Sequence, residues 1–264
     1  MNNDLQCYAL VTGASQGLGR AIAEELARRG HNLFLVSLPG TGLPELSDSL
    51  AGRYSIMARF VETDLMRREA PAELLEFARA NNIETDILVN NVGIGHGGAA
   101  GEYSAAAIDE SIFLNMRCTT LMTNIFIGEL KKRDRAYILN IGSFGGFLPV
   151  PYKSLYSATK SFIYNYSLAI REELRREGIS VSVGMPGPVL TNARVSERIR
   201  KTGFLGRLNV IDADKAAAYL VRMMYRGRGV ILPRWTVRVS YIIGLFLPYR
   251  LLILMLGRLF RGVG

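Results

Sequence analysis

A tyrosine and a lysine four residues apart, Tyr156 and Lys160, follow a serine, Ser143, within residues 139–163. Four residues along a helix bring two side chains onto one face. A phenol titrates near ~10 when unperturbed, and a neighbouring ammonium favours the phenolate, which moves the tyrosine toward acid–base work near neutral pH. Ser143 can donate a hydrogen bond to a substrate oxygen, a contact whose removal costs on the order of 10²–10³ in rate. Taken alone the pair also fits a plain helix surface, so the chemistry depends on the elements around it.

Those elements are legible in the pattern. Residues 137–141 form an apolar strand, a loop with two prolines and two glycines follows, and a helix runs from near Ser154 to about Glu177. At the other end of the chain, strand 8–12 enters Thr12-Gly-x-x-x-Gly-x-Gly19 and then an apolar-periodic helix to about Arg29. Glycines let a backbone approach a pyrophosphate, and a helix N-terminus offers free N–H groups and a favourable dipole. Further strands are expected at 32–37, about 55–61, 87–89, 180–185 and 229–232, with helices over about 70–80, 104–132 and 213–226. Alternation at this rhythm predicts an α/β fold, a doubly wound parallel sheet of the Rossmann type with about seven strands and helices on both faces. Residues 1–235 are expected to make one catalytic domain with a substrate lid at about 189–208, followed by a tail, 236–264.

Apolar residues at 49% and charged ones at 21% of 264 residues fit a folded globular chain. Cys7, Cys118, His31 and His96 are the only cysteines and histidines, which leaves no zinc cluster and no disulfide framework; no metal is expected. The opening residues lack the cationic start and long apolar core of a secretory signal, so a cytoplasmic catalytic core is expected. Asp214 is the last acidic residue, and the nine cations after it equal the whole net charge of +9. Residues 239–257 are almost wholly apolar, broken by Pro248 and Arg250, which argues against a simple membrane span. On a helix from Tyr249 onward, Arg250, Arg258 and Arg261 share a strip with Leu254 and Gly257. A basic strip on an apolar helix suits contact with an anionic membrane surface through 239–261, hence a peripheral position on the cytoplasmic face. The competing uses are a subunit interface in a homo-oligomer and a cap over the substrate pocket.

With these pieces in order, the chain resembles the short-chain dehydrogenase/reductase family over roughly residues 7–235. The matching pieces are Thr12-Gly-x-x-x-Gly-x-Gly19, Asp64, Asn90-Asn-x-Gly93, Asn115, Ser143, Tyr156-x-x-x-Lys160, and Pro186-Gly187 with Thr191. The resemblance implies that Gly13, Ser15, Gly17, Leu18 and Gly19 wrap a nicotinamide dinucleotide's diphosphate. It places Asp64 and Leu65 at the adenine, Asn90 beside the adenosine ribose, and Pro186, Gly187 and Thr191 at the nicotinamide end. By the same resemblance Lys160 bonds the nicotinamide ribose and lowers the tyrosine's pKa, and Tyr156 passes a proton to a carbonyl oxygen. Ser143 would orient that oxygen, and Asn115 would hold a water linking Lys160 to solvent.

Ser37 and Leu38 stand where a dinucleotide fold often places an acid for the ribose. With no carboxylate there to repel a 2′-phosphate, the cofactor leans toward NADP(H), with NAD(H) the alternative. The expected reaction is hydride transfer between nicotinamide and a ketone or secondary alcohol. Phe144, Phe147, Leu148, Val150 and Tyr152 make the loop 144–155 apolar, which points to a hydrophobic small molecule of 3-oxoacyl or steroid type and to no nucleic acid. The lid carries Arg194, Arg198, Arg200, Lys201 and Arg207 against Glu197. The rival readings are a non-catalytic dinucleotide-binding sensor or scaffold and a lyase or epimerase with tightly held cofactor.

Overall fold

The computed structural model describes residues 7–190 and 209–261. Seven parallel strands form one sheet in the order β3-β2-β1-β4-β5-β6-β9. They are β1 (Cys7–Thr12), β2 (Asn32–Ser37), β3 (Ala58–Glu62), β4 (Glu84–Asn90), β5 (Ala136–Ile141), β6 (Ile179–Gly184) and β9 (Val230–Ile231). The short strands β7 (Val189–Leu190) and β8 (Ile211–Asp212) pair with each other. β1, β2 and β5 read as continuous apolar runs because helices cover both faces of the sheet. Alternate residues feed opposite layers. Val11, Leu33, Leu35, Val89 and Leu139 pack under α1 (Gly17–Arg28) and α7 (Ala213–Tyr225), while Leu10, Phe34, Val36, Leu88 and Ile138 pack under α3 (Ala70–Ala80) and α5 (Thr119–Leu130).

The strand order reverses at β1 and β4, the switch point where such sheets open a crevice at their C-terminal edge. Among the departures from the sequence expectation are two helical stretches between strands of the main sheet. Helix α2 (Leu43–Tyr54) fills the β2–β3 connection, with Leu43, Leu46 and Leu50 buried at helical spacing and Pro44 in its first turn. The stretch expected as one helix over 104–132 is instead α4 (Ala105–Ile112), a π-helical turn (Phe113–Cys118) and α5. After β9 the chain continues in α8 (Trp235–Phe246) and α9 (Tyr249–Phe260), the second beginning at the residue the sequence suggested.

Candidate functional site

Helix α6 (Ser154–Leu174) carries Tyr156 and Lys160. Its buried side includes Lys160, Ile163, Ser167, Ile170 and Leu174, so the lysine occupies the position an apolar residue would take on a core-facing stripe. Its Nζ donates to the Ile141 carbonyl at the end of β5, 2.9 Å away, and stands 5.9 Å from the centroid of the Tyr156 ring. Burial pushes the Lys160 ammonium down to about 8. Burial also raises the Tyr156 phenol above its usual value, and the hydrogen bond with the Ser143 hydroxyl works the other way. The lowering expected from Lys160 is therefore not what this packing produces: desolvation of the phenol prevails, and the ammonium is engaged by a backbone carbonyl.

Ser143 follows β5 at the sheet's C-terminal edge, and its Oγ accepts from the Gly145 N–H at 3.2 Å. Phe144 N donates to the Pro186 carbonyl at 2.8 Å, tying this turn to the end of β6. Pro186 is buried and Gly187 lies against the Asn209 backbone. Thr191 and most of the expected lid lie outside the described residues.

Asn115 sits in the π-helical turn and is 1% exposed. Turns of this kind often mark functional positions. Its Oδ1 accepts from Ile94 N at 2.8 Å, and its Nδ2 donates to the Ile94 carbonyl at 2.8 Å and to Thr159 Oγ1 at 2.9 Å. The amide thus clamps the loop after β4 onto α6, which offsets the cost of a buried asparagine in a helix. Gly93 is needed there, because a Cβ would stand 2.7 Å from Asn115 Oδ1 and 3.2 Å from Lys160 Nζ.

The glycine turn after β1 is equally close-packed. Gly13 and Gly17 have positive φ, and a Cβ on Gly19 would meet the Gly13 carbonyl at 2.1 Å. Helix α1 begins at Gly17 with no side-chain cap, so the N–H groups of its first turn, Leu18 and Gly19 included, face the crevice for an anion. Two residues outside the expected set hold this turn. Thr12, fully buried, donates to the Val89 carbonyl and accepts from Asn91 N and Val92 N. Asn91 Nδ2 donates to the Thr12 and Gly13 carbonyls at 3.0 and 3.2 Å. The doubled asparagine at the end of β4 was the available signal, since one of two neighbouring strand residues must face each side.

Asn90 is that other neighbour. Its Nδ2 donates to Thr123 Oγ1 and to Asn140 Oδ1, in a buried network that continues to Ser167. Its amide therefore lies in the buried network under the helical layer. Leu65 is 3% exposed and belongs to the core, while Asp64 Oδ1 accepts from Met66 N. At the end of β2, Ser37 Oγ lies 2.7 Å from Ser15 Oγ and 3.2 Å from Thr41 Oγ1. The expectation that no carboxylate stands here needs correction. Glu62, paired with Ser37 in the sheet, accepts from Gly40 N at 3.0 Å and brings an acid to this corner from the neighbouring strand.

A dinucleotide cradle at the switch point and a serine–tyrosine–lysine group beside it define a dinucleotide-binding α/β enzyme class. The family model described as short chain dehydrogenase matches residues 8–202, and the chain belongs to that family. The very-long-chain 3-oxoacyl-CoA reductase of Aspergillus oryzae is 36% identical over 180 residues, 67% of this chain and 52% of that one. The chain thus spans about half the length of that relative. A short-chain dehydrogenase from Sphingobium yanoikuyae in complex with NADPH matches with a TM-score of 0.77 at 28% identity, covering 90% of this chain and 93% of that one. The 3-ketoacyl-(acyl-carrier-protein) reductase of Brucella melitensis complexed with NADH matches at 0.72 and 26%, covering 86% and 95%.

Proposed function

We propose that the protein is an NADP(H)-dependent reductase of hydrophobic 3-oxoacyl thioesters. The observation that carries the reading is the joint placement of Ser143, Tyr156 and Lys160 at the crevice, next to the apolar loop 144–155. The names of the related 3-oxoacyl reductases support the substrate class. The turn 13–19 would hold a nicotinamide cofactor, which when bound would supply the hydride for a substrate carbonyl carbon. The phenol of Tyr156 gives its proton to the carbonyl oxygen as that oxygen gains charge, and Ser143 donates a second hydrogen bond to it. A raised phenol pKa suits this direction, because the tyrosine keeps its proton until an alkoxide, a much stronger base, forms beside it. Lys160, still mostly charged at pH 7, would bond the nicotinamide ribose and return a proton to the tyrosine. Asn115 Oδ1 has one lone pair beyond its bond to Ile94 N, where it can receive the water of that return path.

The preference for NADP(H) rests on the bonded hydroxyl pair of Ser15 and Ser37, which keeps one O–H to donate to a 2′-phosphate, while Glu62 is drawn to the Gly40 amide. The test is oxidation of NADPH and NADH by purified protein across 3-oxoacyl thioesters, steroid ketones and simple ketones, with Tyr156→Phe as control. Turnover of 3-oxoacyl thioesters with NADPH, lost in the variant while cofactor binding survives, supports the reading. Cofactor binding without turnover of any of these ketones sinks it.

A further inference from the structure

The last two helices turn apolar residues outward. On α8, Trp235, Val239, Ile242, Ile243 and Phe246 recur at helical spacing and form one exposed stripe, with Phe246 84% and Trp235 70% exposed. The side turned toward the protein carries buried Val237 with half-buried Thr236, Ser240, Tyr241 and Gly244. A helix packed only for water has the opposite sense, polar outside and apolar inside. α9 adds exposed Leu251, Leu254 and Met255. An exposed apolar stripe of this kind marks an interaction site.

The charges around it identify the partner. Arg238, Arg250, Arg258 and Arg261 are exposed beside the stripe, and no acidic residue follows Asp214 in the chain. A protein partner is ordinarily met by a rim of both signs, whereas cations alone beside apolar side chains match a layer of anionic headgroups over hydrocarbon. A 12-residue helix is about 18 Å long against a hydrocarbon core of ~30 Å, and no helix among the described residues is long and apolar enough to cross a membrane. We propose that α8 and α9 dock the protein on an anionic lipid surface, lying in one leaflet with Trp235 at the headgroup level.

Both helices are fastened to the body of the protein, so docking positions it as a whole. The Tyr241 and Phe147 rings lie 4.5 Å apart, Arg261 Nε donates to the Tyr152 hydroxyl at 3.3 Å, and Lys153 Nζ stands 4.7 Å from the Phe260 ring centroid. All three contacts reach the loop 144–155. Clefts of about 480 and 520 Å³ run between that loop and α9, one past Val150, Tyr249 and Ile253, the other past Tyr152, Leu254 and Arg258. The docking surface stands on these helices alone and does not require the reductase reading.

The test is flotation of the full chain with vesicles of phosphatidylglycerol or of phosphatidylcholine, at low and high salt, beside Ile243→Asp/Phe246→Asp and Arg250→Gln/Arg258→Gln. Both pairs are exposed, so circular dichroism and the melting temperature should match wild type. Wild type should float with phosphatidylglycerol at low salt, at least about tenfold more than with phosphatidylcholine; each arginine removed should lower partitioning about fivefold. The aspartate variant should stay in solution. Wild type that ignores both vesicles, or an aspartate variant that floats equally well, overturns the proposal. So does an apparent mass in solution that falls by half in the aspartate variant without vesicle binding, since a second copy then covers the stripe.

Discussion

Lys160→Met separates what the site needs from what the fold needs. Burial brings the lysine from its ordinary 10.5 down to about 8 in the folded chain. At ~1.4 kcal/mol per unit, keeping that buried amine charged at neutral pH costs roughly 3 kcal/mol. Methionine keeps the length and the apolar stem, removes the charge, and loses the hydrogen bond to the Ile141 carbonyl, worth about 1 kcal/mol. The variant should therefore be more stable than wild type by about 2 kcal/mol at pH 7, raising its melting temperature by roughly 5 °C. The sign of the pH dependence follows from the depressed folded-state value. Between about 8 and 10.5 the unfolded chain holds more protons than the folded one, so wild-type stability gains from this group as pH rises through that window. The variant lacks this gain, and its advantage should vanish by the upper end. Activity should fall by about 10² or more, because proton return to Tyr156 is lost. The assay is thermal unfolding of the ligand-free proteins from pH 6 to 10.5 by circular dichroism, paired with cofactor oxidation. A variant that melts below wild type at pH 7, or two pH profiles that run parallel, would refute the reasoning.

The same geometry yields further expectations. For reduction, kcat/KM should decline above about pH 8 as Lys160 loses its charge, a limb that a pH–rate profile will show and Lys160→Met should lack. Gly93→Ala places a methyl 2.7 Å from Asn115 Oδ1 and should lower kcat by at least about tenfold through a displaced loop, measured by steady-state kinetics. Asn91→Leu removes two hydrogen bonds from the glycine turn and should raise the KM for the nicotinamide cofactor about tenfold with kcat little changed. Glu62→Gln removes the one carboxylate that the Gly40 amide holds, and should shift the ratio of kcat/KM for NADPH over NADH upward by about fivefold, less at high salt.

Most of the strand framework is visible in the chain because its strands are buried on both faces and must be uninterrupted apolar runs bounded by turns. α3 begins and ends where its pattern predicts, with Pro71 at its start. α2 carries the same kind of signal in Leu43, Leu46 and Leu50, but Ser47, Ser49 and Gly52 dilute it. The π-helical turn at Asn115 leaves no such trace, because apolar periodicity constrains which residues are buried and tolerates a single wider turn.

Residue type and order alone determined the parallel sheet, the glycine turn at the first helix, and the grouping of Ser143, Tyr156 and Lys160 at one edge. Each follows from short-range periodicity and from the rule that consecutive strands and helices pack as neighbours. Tertiary structure alone decided the facts that depend on which side of an element faces what. It turned Asn90 into the buried network and Asn91 onto the glycine turn, brought Glu62 beside Gly40, and buried both the Tyr156 phenol and the Lys160 ammonium, so that desolvation raises the one and lowers the other. It also left the apolar stripe of α8 facing outward. Desolvation and contact are properties of the assembled surface, and no local pattern carries them.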